Sequence, residues 1–214
     1  MLLEKLEKQE LISAPKWLTS NTLYLTIMGS MAYGVNNDDS DLDIYGFCAP
    51  PKNVVFPHTA GVIKGFGNQG EQFEQWQQHH IKSLDGKTEY DFAVYNIVKY
   101  FDLCMANNPN MLDSLFTPDN CVVHRTKVSD IVRENRRMFL HKGAWHKYKG
   151  YAFAQMKKIK GGANQSNEKR AANTEKFGYD VKFGYHVVRL IDRKSGRVGK
   201  ECLRLCRSRW SPYH

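Results

Sequence analysis

Two short groups of residues in this 214-residue chain have the types and spacing to do chemistry: Gly29-Ser30 and Asp41-x-Asp43. The stretch 41–47 (DLDIYGF) alternates as a strand does, so Asp41 and Asp43 project from one face while Leu42 and Ile44 project into a core. Side-by-side carboxylates repel unless a cation lies between them. Hard oxygen ligands of this kind suit Mg²⁺ or Mn²⁺, which keep several waters and take the rest of their shell from substrate phosphates. Gly29-Ser30 follows an apolar, β-branched run at 22–28 (TLYLTIM) and opens a short helix. Such a turn offers backbone N–H groups and a hydroxyl to a phosphate. Either group alone is a common cap or solvated turn. The order of strand, Gly-Ser, a short spacer and SDxD on a second strand is a far more specific signal, and it points to a metal-bound triphosphate.

The stretch GSMAYGVNNDDSDLDIYG at 29–46 resembles the GS-x-AYG…SDxDxxG signature of the DNA polymerase β-like nucleotidyltransferase superfamily, in particular its stand-alone nucleotidyltransferases. The likeness extends more loosely to 88–116 and to GYDVKFGYHVVRLI at 178–191. It implies an α+β fold: a small mixed β-sheet core with helices on one face, followed by a helical C-terminal lobe that closes over the nucleotide. It also implies a third carboxylate on a neighbouring strand. Glu89 and Asp91 share a face of the strand expected at 88–95, and Asp91 is the better match to the family's third acid. Charge then implies a two-metal mechanism. One Mg²⁺ (or Mn²⁺) lies between Asp41 and Asp43 and neutralises the triphosphate, and a second, shared with Asp91, activates the attacking hydroxyl. A nucleoside monophosphate, AMP being the expected group, passes from an NTP to an acceptor hydroxyl with release of pyrophosphate.

Around these residues the sequence predicts a helix over 2–12 stopped by Pro15, five turn-formers at 36–40, and a loop region marked by Pro50-Pro51 and the glycines of 61–70. Strands follow at 75–83 and 88–95, with Asp85-Gly86 as a hairpin signal between them. Strand periodicity sends His79 and His80 to opposite faces, which would keep them from sharing an ion. From Tyr95 the period turns helical, with Ile97, Val98, Phe101 and Met105 on one face, until Asn107-Asn108-Pro109-Asn110 ends it. The remainder reads as helices at about 126–140, 142–160 and 176–192, the last two separated by a polar surface loop.

The charge is divided along the chain. Residues 1–123 carry 8 basic and 15 acidic side chains, whereas 124–160 carry 11 and 2, and 193–214 carry 7 and 1. The reading is therefore an acidic catalytic lobe (1–123), a basic helical lobe (124–192) with the site in the cleft between them, and a basic tail (193–214) expected to lack order. On the helix from 177 to 191, Lys182, His186 and Arg189 share a polar face with Tyr179 and are placed to grip phosphates. On the preceding helix, Lys142, His146 and Lys149 form a stripe interleaved with Trp145, Tyr148 and Tyr151, a pattern suited to an acceptor strand, although Trp145 itself reads as core. Five scattered cysteines without CxxC spacing argue against a disulfide framework or zinc knuckle, and Cys202 and Cys206 lack nearby companion ligands apart from His214. That cysteine pattern reads as a reducing cytoplasm, and no run is apolar enough for a membrane span, so a soluble protein is expected. The acceptor is ordered as an RNA 3′ end first, a protein hydroxyl (AMPylation) second and a small metabolite third. A non-catalytic nucleotide- or RNA-binding module of the same fold is the alternative from another class.

Overall fold

A computed structural model describes residues 1–33, 41–63, 65–67, 72–160, 174–179, 183, 184 and 187, except for the side chains of Ser30, Tyr33 and Lys160. Its centre is a mixed sheet of five strands: β1 (Thr22–Ile27), β2 (Leu42–Cys48), β3 (Gln75–Lys82), β4 (Glu89–Asn96) and β5 (Val122–Arg125). Their order is β3-β4-β2-β1-β5. Only β2 and β4 run parallel; the other neighbours are antiparallel. With helices after and around this sheet, the α+β class holds as expected.

Alternation along β2 and β4 sorts their side chains into two faces. Ile44 and Cys48 of β2 and Phe92 and Val94 of β4 bury one face, together with Leu25, Trp76 and Ile81. Helix α1 (Leu2–Lys8) adds Leu3 and Leu6 to this cluster, and Leu18 comes from the single turn α2 (Leu18–Asn21). On the other face Phe47 stacks against Tyr100 of α5 (Ile97–Met105) at 4.8 Å between ring centroids. Phe101 lies edge-on to the same ring at 6.0 Å. After β1 comes the five-residue α3 (Gly29–Tyr33), and after β2 the short α4 (Lys52–Val55) and a 3₁₀ turn at Pro57–Ala60. Helix α6 (Pro109–Leu115) follows α5, and α7 (Lys127–Glu134) and α8 (Gly143–Lys160) follow β5.

Several local expectations change for identifiable reasons. Helix α1 ends at Lys8, not near residue 12, because the next segment docks on β3. The Trp76 indole N–H donates to the Ser13 carbonyl at 2.8 Å. The Ser13 N–H donates to Gln78 Oε1 at 2.7 Å, and the Gln78 amide donates to the Leu11 carbonyl at 3.1 Å. In α5 the inward face carries Tyr100 and Cys104 while Val98 and Met105 are exposed. Tyr100 is drawn inward by its ring contact with Phe47 and by the Ser114 hydroxyl at 2.5 Å, a polar tip that hydrophobic periodicity does not count. The fifth strand, four residues long, is too short to show alternation. The helix expected over 126–140 is α7, capped at its start by Thr126 and closed at Asn135, then a separate 3₁₀ turn at Arg136–Phe139. Trp145 is not core: α8 buries Ala144, Tyr148, Ala152 and Gln155, leaving Trp145 one position round the helix and 50% exposed. The turn at 36–40, the loop at 161–173 and everything from 188 on lie outside the described residues.

By internal packing the chain divides into two units, Met1–Cys104 with Asp113–Arg137, and Met105–Leu112 with Met138–His214. Within the first, one cation of the basic stretch is wholly structural. Arg133 is buried, and its guanidinium donates to the Tyr24 hydroxyl (2.6 Å), the Thr117 carbonyl (2.9 Å) and Asp119 Oδ1 (2.9 Å). Thr117 Oγ1 in turn meets Thr26 Oγ1 at 2.7 Å, so this network ties β1 to the chain leading into β5. Arg133→Met is expected to lower the unfolding free energy by about 2 kcal/mol, the cost of stranding buried polar partners. A urea melt with an unchanged slope would register it, and a midpoint equal to that of the native chain would contradict the role.

Candidate active site

The site is built by one register. Parallel pairing sets Leu42 against Tyr90, Asp43 against Asp91 and Ile44 against Phe92. Register partners in a parallel pair project to the same side from strands about 4.8 Å apart. Asp43 and Asp91 therefore stand side by side at the start of the two strands, on the face opposite buried Ile44 and Phe92. Two residues upstream, Asp41 precedes β2 and Glu89 opens β4. The four acids named from the sequence thus come together, although Asp43 and Asp91 lie far apart in the chain.

Gly29 shapes the third side. The chain leaves β1 with the Met28 N–H donating to the Asp43 carbonyl at 2.7 Å, and Gly29 then adopts φ +65°. A Cβ built at Gly29 would lie 2.2 Å from Asp43 Oδ2, so only glycine lets this turn come up against the carboxylate. Left-handed backbone and close approach both demand it. The Ser30 side chain lies outside what is described.

The edge strand β3 supplies the fourth side, and here the sequence expectation for the histidines fails. Gln78 pairs with Phe92 and Ile81 with Tyr90, so His79 and His80 together face Asp91 across a β-bulge. His80 takes φ +57°. Its N–H donates to Asp91 Oδ1 at 2.8 Å and its Nδ1 lies 2.5 Å from Glu89 Oε1. His79 Nδ1 lies 3.5 Å from Asp91 Oδ2. The His79 ring therefore reaches Asp91 and the His80 ring reaches Glu89, neighbouring carboxylates on one face of β4, instead of parting to opposite faces. The hydrogen bond that the Glu89 carboxylate accepts from His80, then the charges of Asp91 and Glu89, hold the imidazole's pKa above the usual histidine range, against desolvation and with a lesser contribution from the charge of Asp41. Asp41, two residues before Asp43, is near enough for its charge to bear on this imidazole. A sequence signal for the bulge existed: Trp76 and Ile81 both enter the core, yet their odd separation cannot put them on one face of a regular strand.

As a donor set, these acids fit a hard divalent cation. Asp41, Asp43 and Asp91 offer carboxylate oxygens from adjacent strand ends, and His80, Glu89 and Asp91 have ligand atoms all within 4.8 Å of one another. The described cysteines offer no ligand here: Cys48, Cys104 and Cys121 are buried, and burial pushes the Cys48 and Cys104 thiols up to about 12. Of the residues assigned to phosphate, Lys182, His186 and Arg189 lie outside the described residues. Lys142, His146 and Lys149 are exposed in the second unit, at and on α8, and Lys149 Nζ stands 5.8 Å over the Phe153 ring. Among the described residues no helix is long and apolar enough to cross a membrane.

Comparison with known proteins gives the same direction. An uncharacterized 38.9 kDa protein from the nrdC-mobD intergenic region of Enterobacteria phage T4 is 26% identical over 140 residues, 64% of this chain and 38% of the phage protein. The chain thus matches well under half the length of that relative. Residues 2–191 match the family described as the RNA repair pathway DNA polymerase beta family. With nearly its whole length matched and paired carboxylates standing beside a glycine turn, the chain belongs to that family, among the polymerase β-like nucleotidyltransferases.

Proposed function

We propose that the protein transfers a nucleoside monophosphate, AMP in the first instance, from an NTP to an acceptor hydroxyl with release of pyrophosphate, and that the acceptor is an RNA 3′ end. The observation that carries this is the register of Asp43 against Asp91 with Gly29 closed onto Asp43. Asp41, Asp43 and Asp91 are the residues that hold Mg²⁺ or Mn²⁺. When bound, such ions supply charge neutralisation at the phosphates and acidify a hydroxyl. The protein's own part is positioning: the turn after β1 offers backbone N–H groups to the phosphates, and Ser30, Lys182, His186 and Arg189 keep the phosphate-gripping roles assigned to them from the sequence. Phosphoryl chemistry asks little else of a protein than alignment and charge.

For the acceptor, the family's description supports RNA. So does α8, which has five lysines and no acid and exposes Trp145 and Phe153 beside Lys149. Aromatic faces with interleaved cations suit single-stranded bases and phosphates. A protein hydroxyl is the second reading, and the same assay decides between them.

Purified protein with Mg²⁺ and each labelled NTP is expected to move label onto RNA, with ATP the best donor; label found on protein alone would shift the acceptor to a protein hydroxyl. Asp41→Asn and Asp43→Asn should each abolish transfer with the thermal midpoint preserved, and activity in either variant would remove it from the site. Gly29→Ala is expected to weaken Mn²⁺ binding at least about tenfold by displacing Asp43, as measured by calorimetry. In a salt titration of single-stranded RNA binding, replacing Lys142 and Lys149 by Ala should flatten the log–log slope by about 0.7 per lysine. A slope unchanged by both would take α8 out of the RNA path.

A further inference from the structure

The bulge on β3 carries more than the three-acid site needs. A regular edge strand would set one side chain opposite Asp91, and this one sets two, both histidines. The bulge is fixed on either side. Gln78 before it is held by the Ser13 N–H and the Leu11 carbonyl, and Ile81 after it is buried in the core. Between those anchors His80 sits in left-handed backbone at φ +57°, a conformation that strains a non-glycine residue and is kept where the surroundings enforce it. The result is an imidazole Nδ1 facing Glu89 Oε1 at 2.5 Å, with ligand atoms of His80, Glu89 and Asp91 all within 4.8 Å. Ligands around a tetrahedral cation at roughly 2.1 Å stand roughly 3.4 Å apart, so small rotations would close this set on an ion.

We propose that His80, Glu89 and Asp91 form a second kind of cation site, one imidazole nitrogen with two carboxylate oxygens, which takes a first-row transition cation such as Co²⁺ or Zn²⁺ in preference to Mg²⁺. The donor chemistry sets the preference. Mg²⁺ favours an all-oxygen octahedral shell, whereas imidazole suits Zn²⁺, Co²⁺ and their neighbours. His79, 3.5 Å from the other oxygen of Asp91, acts as a positioning residue that holds this carboxylate toward His80. The site rests on the transferase reading only through Asp91, which it shares with the all-carboxylate site formed with Asp41 and Asp43. Occupying it therefore draws the third acid away from those two.

Co²⁺ is the probe, because its visible absorption reports nitrogen and oxygen ligation directly. The full chain, stripped with a chelator, is titrated with Co²⁺. The expected result is one saturable band that Zn²⁺ displaces and Mg²⁺ at the same concentration does not. His80→Asn keeps a residue that tolerates left-handed backbone while removing the imidazole. This variant and Glu89→Gln should each weaken Co²⁺ at least about tenfold. His80→Gly, free of backbone strain, should do the same, so a fold defect in one variant does not hide the answer. Equal Co²⁺ affinity in native, His80→Asn and His80→Gly proteins, or ready displacement by Mg²⁺, overturns the site and leaves Asp41/Asp43-dependent transfer standing. Co²⁺ binding that needs His80 in a protein that transfers no nucleotide would keep the site and overturn the transferase reading.

Discussion

The parallel pairing of β2 with β4 is the constraint on which the rest depends, because it forces two carboxylates into adjacent positions. At about 4.8 Å and an effective dielectric of about 20, two such charges oppose one another by roughly 3 kcal/mol. The opposing term lies on the other side of the same strands. Ile44, Phe92 and Val94 are fully buried there, and side chains of that size each contribute about 1.5–3 kcal/mol on leaving water. Sliding β4 by one residue would separate the acids, but it would also turn this apolar set out of the core. The core thus holds the repulsion in place, and a cation that relieves it gains a matching increment of affinity.

The edge of the sheet is where this arrangement is adjusted. An extra residue in β3 disturbs a single ladder, because β3 has only β4 as a neighbour. The bulge beside the acids turns an exposed strand edge into a source of N–H and imidazole groups aimed at Asp91 and Glu89. The chain that leaves α1 early serves this too, since its bonds to Trp76 and Gln78 fix the strand just before the bulge.

What was legible in the sequence follows the range of the interactions involved. Gly29, Asp41 and Asp43 lie in one local motif, and the hairpin at Asp85-Gly86 closes over a few residues, so both could be read directly. Asp91 was singled out by resemblance and by sharing a face with Glu89; its alignment with Asp43 depends on a parallel pairing that no local pattern encodes. The histidines were misplaced because period two was extended through a bulge, when the odd spacing of Trp76 and Ile81 already conflicted with it. Trp145 was misplaced because aromatic size suggested burial. Ala144, Tyr148, Ala152 and Gln155 take the inward positions of α8 instead.

The division of charge now has a sharper meaning than acidic and basic halves. Arg133 shows that part of the basic stretch is committed inside the fold, to Tyr24, Thr117 and the carboxylate of Asp119, and is not free to meet a polyanion. Lys147, Lys149, Lys157 and Lys158 of α8 differ, since they are exposed, and the helix also exposes Trp145 and Phe153. An NTP and an RNA end are both polyanions, and a cluster of four carboxylates repels each of them. On the proposed reading the acid cluster can therefore hold only the reacting phosphates, and only with cations, while the attraction that brings in the longer polyanion has to come from positive charge elsewhere in the chain. Affinity for the acceptor should then weaken with salt even where the chemical step, fixed by close-range ligands on rigid strands, does not.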